Sequence, residues 1–113
     1  MDLGLGKRLF DFAVRTIKFC RTLPKTKEYD IIKNQLIKSS TSSGANYEEA
    51  QGASSKPDFV NKIKISLKEM RETNYWIRII IEIKEADDEL SFLQKESDEL
   101  MKILGAISTK ASK

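Results

Sequence analysis

The stretch Ile37–Gln51, IKSSTSSGANYEEAQ, decides what this chain can become. It holds five Ser or Thr, a Gly and an Asn, the composition of a flexible linker. No proline interrupts it, however, and the apolar spacing runs straight through. Ile32, Leu36, Ser40, Ser43, Tyr47 and Ala50 follow one another by steps of four, four, three, four and three. Leu36 and Tyr47 are 11 residues apart, close to three whole helical turns, so the apolar face resumes in phase beyond the serines. A linker has no reason to keep that phase. Weak helix propensity costs about 0.5 kcal/mol per Ser or Thr and about 1 kcal/mol for Gly44. Close packing against another helix must offset that cost, because small side chains let two backbones approach. The stretch reads as continuous helix, with a break near Gly44 as the alternative.

The remaining sequence agrees with a helical frame. Aliphatic residues fall at spacings of three and four rather than in alternation, which predicts an all-α fold. At 113 residues the chain is one domain, able to bury roughly 65% of its unfolded surface. Helices are expected at about 4–22, 26–53, 56–86 and 91–108. Short connections make an antiparallel up-down-up-down four-helix bundle the economical topology. In the first segment Leu5, Leu9, Phe12, Ala13, Ile17, Phe19, Cys20 and Leu23 share one arc. Lys7, Arg8, Arg15, Lys18 and Arg21 take the opposite arc, with Asp11 the lone acid, and Pro24 ends the helix.

The third segment starts at Ser55-Lys56-Pro57-Asp58, where a capping hydroxyl precedes a first-turn proline and an acid. Val60, Ile63, Leu67, Met70, Asn74, Ile77 and Ile81 then step by three and four without a slip. Asn74 lies within that seam and needs a hydrogen-bond partner if buried. A second seam runs through Ile65, Glu69, Glu72, Trp76, Ile79 or Ile80, and Ile83, so that NYWIRIIIEI is apolar nearly all round. Either the fourth helix covers one of these sides, or Trp76, Ile79, Ile80 and Ile83 form a surface between subunits. EADDEL then reads as an acidic turn closing the third helix. Ser91-Phe92-Leu93-Gln94 resembles a capping box for the fourth, whose polar tail STKASK is expected to fray.

Much chemistry is excluded by what is missing. There is no histidine, hence neither the commonest general base nor the commonest metal ligand. Carboxylate-bridged metal bundles usually draw on a Glu-x-x-His pair, which cannot form here. No glycine-rich phosphate loop is present. No enzyme activity, cofactor or metal is therefore expected. Cys20 is the lone cysteine, which rules out an intramolecular disulfide. With no signal peptide evident, a reducing cytoplasm is the expected location. No apolar run approaches the roughly 20 residues of a membrane span.

The net charge of +3 is unevenly spread. Residues 1–38 carry nine Lys or Arg against four Asp or Glu, and residues 85–100 carry one against seven. A solvated helical surface explains this asymmetry, and so does a basic face for nucleic acid. Five cations on the first helix suffice for salt-sensitive phosphate contacts. No aromatic residues interleave with them for base stacking, and nothing marks a helix that reads base edges.

One family resemblance extends this reading. DFAVRTIKFCRTLPKTKEYDIIKNQLIKSSTSSGANYEEAQGASSKPDFVNKIKISLKEMRETNYWI and ELMKILGAISTK carry it. Leu23-Pro24, Gln35-Leu36, Ser39 to Ser43, Asn46, Glu49, Ala50, Phe59, Glu72-Thr73 and Tyr75-Trp76 match the family pattern in order, although many relatives have Gly at Ala50. The sequence resembles the four-helix-bundle proteins encoded in intervening sequences of bacterial 23S rRNA genes. That resemblance implies a bundle assembled into a homo-oligomeric ring, with a pentamer expected. It also suggests kinship with the accessory variability protein of diversity-generating retroelements, a basic pentameric bundle that binds nucleic acid and a reverse transcriptase. RNA or DNA and a reverse transcriptase are thus the implied partners, with Lys7, Arg8, Arg15, Lys18 and Arg21 as phosphate contacts. Asn46, Glu49 and Glu72 read as a polar packing network rather than a site, and Tyr75 joins them as a structural residue of the family motif. The competing function is a protein–protein adaptor that binds no nucleic acid itself.

Overall fold

A computed structural model describes residues 4–113 as four helices, α1 (Leu5–Cys20), α2 (Lys27–Gln51), α3 (Lys56–Ile83) and α4 (Asp88–Ala111). α1 meets α2, α2 meets α3, α3 meets α4, and α4 returns to α1, while the backbones of the diagonal pairs stay apart across the shared core. This is a four-sided antiparallel bundle, 44 × 22 × 20 Å, and its α1–α4 seam is the thinnest.

α2 passes through the serine-rich stretch without a break. Ser39, Ser40 and Ser43 are fully buried on its inner face between Leu36 and Tyr47. α3 answers with Ser66 and Thr73, which are also fully buried. Ser43 Oγ donates to the Ser66 carbonyl at 2.8 Å, and Ser66 Oγ donates back to the Ser43 carbonyl at 2.7 Å. Two turns along, Thr73 Oγ1 donates to Ser39 Oγ at 2.8 Å. Side chains this small let hydroxyls reach the facing backbone. Each bond contributes about 0.5–1.5 kcal/mol net and leaves no buried donor orphaned. Low helix propensity is thus offset between helices, as the sequence required.

Around this polar seam, Leu9, Phe12, Leu36, Ile63, Met70, Ile77, Ile80, Leu93, Leu100 and Leu104 are almost wholly removed from solvent. Burial of each such side chain stabilises by roughly 1.5–3 kcal/mol. Gly44 lies where α1 crosses α2: a Cβ placed there would stand 3.6 Å from Leu9 Cβ. Gly4, before α1, has φ 89, a left-handed conformation that glycine adopts without strain.

Asn74 finds the partners its burial demands. Its Nδ2 donates to Ser97 Oγ at 2.9 Å and to Asp98 Oδ1 at 2.8 Å, and its Oδ1 accepts from Arg78 Nε at 3.0 Å. α3 starts as expected, with the Ser55 side chain accepting from the Asp58 amide.

The α3–α4 connection corrects the sequence reading. EADDEL is not the end of the third helix. α3 stops at Ile83, and the Asp87 carboxylate caps α4 by accepting from the Leu90 amide at 2.7 Å. Asp88 and Glu89 then occupy the first turn, where the helix dipole favours negative charge. Ser91 lies within that helix and does not cap it. At the far end α4 runs on to Ala111, since Ser108 remains buried and holds the last turn inward.

Candidate nucleic-acid interface

α1 presents its cations in two groups with different surroundings. Its inner face is fixed by Leu5, Leu9, Phe12 and Phe19, which turns Arg8 and Arg15 toward α4. Arg8 makes a two-point contact with Glu96, Nε at 3.1 Å and Nη2 at 2.7 Å, and also reaches Glu99 at 2.9 Å. Arg15 grips Glu89 in the same way at 3.0 and 2.6 Å, and its guanidinium stacks 3.6 Å from the centre of the Phe92 ring. Hydrogen bonding to Glu96 holds the Arg8 guanidinium above its ordinary pKa, and Glu89 does the same for Arg15. Lys7 pairs with Asp11 at 2.8 Å along the helix.

The expected five-cation stripe is therefore not one open basic face. Lys7, Arg8 and Arg15 are neutralised by acids of this chain. The acids of residues 85–100 that do this, Glu89, Glu96 and Glu99, come from a region which the sequence reading left as a separate charge block.

Lys18 and Arg21 are different: both are exposed and form no ion pair with another described residue. The turn after α1 and the start of α2 add Lys25 and Lys27, equally exposed and unpaired. The segment KFCRTLPKTK, residues 18–27, thus carries four open cations and no acid. The N-terminus of α2 adds its positive dipole end there, capped by the Thr26 hydroxyl. Sequence reasoning missed Lys25 and Lys27 because it followed the face of one helix rather than the corner where two meet.

Beside this corner lies Cys20, which is 2% exposed, its thiol pushed up to about 11 by burial despite the opposing charge of Lys33. It packs as a small hydrophobe. Among the described residues no group of three His, Cys, Asp or Glu could hold a metal. None of their helices is long and apolar enough to cross a membrane.

The expected interface residues divide. Ile80 is fully buried within the bundle and offers nothing to a second copy, because it continues the inward face of Thr73 and Ile77. Trp76 and Ile79 are half-buried, while Ile83 is 49% and Tyr75 51% exposed. Tyr75 meets Trp76 edge to face, and Trp76 Nε1 donates to Glu72. Asn46 donates to Ser42 of its own helix, and Glu49 accepts from Lys62 of α3. Asn46 and Glu49 therefore serve separate local contacts, while Glu72 and Tyr75 meet through Trp76.

A second apolar surface went unread. Phe10, 66% exposed, stands with Val14 and Ile17 beside a furrow of 280 Å³ between α1 and α2. Small residues Gly6, Ala13, Gly44 and Ala45 form its walls. The signal was present: Phe10, Val14 and Ile17 repeat at four and three, a second stripe on the first helix like the one noticed on the third.

Comparison with known proteins agrees with the bundle. One solved structure is a protein of unknown function from the S23 ribosomal protein family of Bacteroides thetaiotaomicron. It is 32% identical, with a TM-score of 0.83 over 92% of this chain and 97% of that one. No curated protein matches. The sequence profile of the 23S rRNA-intervening sequence proteins matches residues 1–106, and the chain belongs to that family.

Proposed function

We propose that this protein is a non-enzymatic, homo-oligomeric bundle that binds RNA or DNA through the basic corner formed by Lys18, Arg21, Lys25 and Lys27. The observation that carries this reading is the segment 18–27, with four exposed cations, none in an ion pair with another described residue, and no acid within the segment itself. Cations already held by carboxylates gain little from a phosphate, whereas open ones release condensed counterions on binding. A single corner binds weakly. Several corners in one assembly engage a strand together and multiply the affinity.

Filter retention of labelled RNA and DNA at about 50 mM salt, where phosphate contacts are strongest, tests the reading. Replacing Lys18, Arg21, Lys25 and Lys27 by Gln should abolish retention with helicity unchanged. Replacing Arg8 and Arg15 by Gln should leave most of it. Absence of retention by the unaltered protein would transfer the assignment to an adaptor that meets other proteins. Equal loss in both variant sets would return the binding face to α1 as a whole.

A further inference from the structure

We infer that the hollow beside Arg21 and Lys25 receives one unstacked base of a single strand whose phosphates lie on those two cations. This rests on the basic corner proposed above and names the class of nucleic acid it takes, single-stranded rather than duplex.

The hollow, 360 Å³ in volume, forms where the end of α1 passes the early turns of α2. Its walls are aliphatic: Ile17 from α1, Leu23 from the turn and Ile37 from α2. Arg21 and Lys25 line it as well, both exposed and in no ion pair with another described residue. Lys33 also lines it, but its side chain is 18% exposed and lies 3.9 Å from Asp30, so it counts as wall rather than open charge.

The turn that carries these groups is tied down. The Thr22 amide donates to the Phe19 carbonyl at 2.9 Å, and the Leu23 amide donates to the Cys20 carbonyl at 3.2 Å. Pro24 fixes the next φ. The backbone beneath cation and wall is therefore set before a ligand arrives, which lowers the entropy cost of binding.

Aliphatic walls beside open cations fit an anion joined to an apolar face. A nucleotide with its base out of the stack is such a group. The base face buries against hydrocarbon, while the phosphate reaches a guanidinium able to hold two oxygens at once. Inside a duplex both faces of a base are covered by its neighbours, so none is free to enter. Lys18 and Lys27 continue the open charge beyond the hollow, which suits a polyanion rather than a lone anionic lipid. No amide, hydroxyl or carboxylate side chain lines the hollow, so it holds a base by its face and reads sequence weakly.

The neighbouring hollows lack this combination. The α1–α2 furrow includes Glu48, the hollow on α3 includes Glu82, and the one beside Lys18 includes Asp87 and Glu89, carboxylates that repel a phosphate. Charge alone also predicts the opposite preference. A duplex packs its phosphates more densely than a single strand and releases more counterions per contact, so a merely basic corner retains duplex better.

The test is filter retention, at about 50 mM salt, of three labelled probes of equal length. These are oligothymidylate, its duplex with oligodeoxyadenylate, and an abasic strand that keeps the sugars and phosphates. Oligothymidylate should bind about fivefold more tightly than the abasic strand, the low end of what one stacked base contributes, and more tightly than the duplex. Ile17→Ala with Ile37→Ala, both half-buried, should erase the difference between oligothymidylate and abasic strand with circular dichroism unchanged. Arg21→Gln with Lys25→Gln should weaken both alike. Should the unaltered protein retain the abasic strand as well as oligothymidylate, or retain duplex best, the inference is overturned and the basic corner stands. A difference that survives in the Ile17 and Ile37 variant would place the base elsewhere and overturn it too. Retention of none of the three probes would overturn both the inference and the proposed function.

Discussion

Ser43→Leu isolates the physical claim on which the bundle rests. Leucine is the better helix former and the more hydrophobic residue, so pattern reasoning alone expects it to stabilise a buried position. The structure expects the reverse. Ser43 is fully buried with its hydroxyl 2.8 Å from the Ser66 carbonyl, which leaves no room for three further carbons. Ser43→Ala is the control. It loses one hydrogen bond of about 1 kcal/mol and regains about 0.5 kcal/mol in propensity, for a net cost of about 0.5 kcal/mol. Leucine loses the same bond and adds overpacking of about 1–3 kcal/mol, for a net cost of roughly 2–3 kcal/mol. At about 4 °C per kcal/mol for a domain of this size, alanine should lower Tm by about 2 °C and leucine by about 8–12 °C. Thermal melts followed at 222 nm, at one protein concentration throughout, separate these values. A leucine variant as stable as the alanine variant would show that α2 and α3 are not in close contact, and would remove the reason for the serines.

Gly44→Ala should raise stability by about 0.5–1 kcal/mol in urea unfolding, since helix propensity improves and the new methyl makes an ordinary 3.6 Å contact with Leu9; a loss would mean that α1 lies nearer than this. Cys20 should resist a thiol reagent at pH 8 and react only as urea unfolds the chain, because its thiol is buried and pushed up to about 11; rapid labelling of the folded protein would contradict the burial. The Asp87 carboxyl is held below its ordinary pKa by Lys84 first and the Leu90 amide second. Its contribution is therefore fully present above the unfolded value of about 3.9 and fades as pH falls through the folded value beneath that. Asp87→Ala should cost about 1 kcal/mol at neutral pH and flatten the acid limb, whereas Asp87→Asn should keep most of the cap and lose the pH dependence.

What the sequence disclosed follows from how local each signal is. Phase across Ser39–Ser43 is a property of one helix, and it correctly joined two apolar runs into α2. Ser55 and Pro57 act within one turn, so the start of α3 was legible too. Asp87 was misread because an acid after one helix and an acid before the next look alike until the turn between them is known. The fates of Arg8 and Arg15 depended on Glu96 and Glu89, 88 and 74 residues away respectively, a distance that no periodicity spans. Ile80 looked available because α3 is apolar all round, and only the position of its neighbours decides which isoleucine faces inward. Lys25 and Lys27 lie on a turn and the first residue of α2, where stripe analysis has least to say.

The paired hydroxyls between α2 and α3 also govern how the molecule can deform. Sliding one of these helices along the other by a turn, about 5.4 Å, would part Ser43 from Ser66 and Ser39 from Thr73, at about 1–3 kcal/mol for each buried group left without a partner. They act like the teeth of a zip and keep the two rods from shearing. α1 and α4 have no such teeth, only guanidinium clamps open to water. Mechanical load, whether from crowding, a bound strand or a neighbouring subunit, is therefore relieved first along that edge.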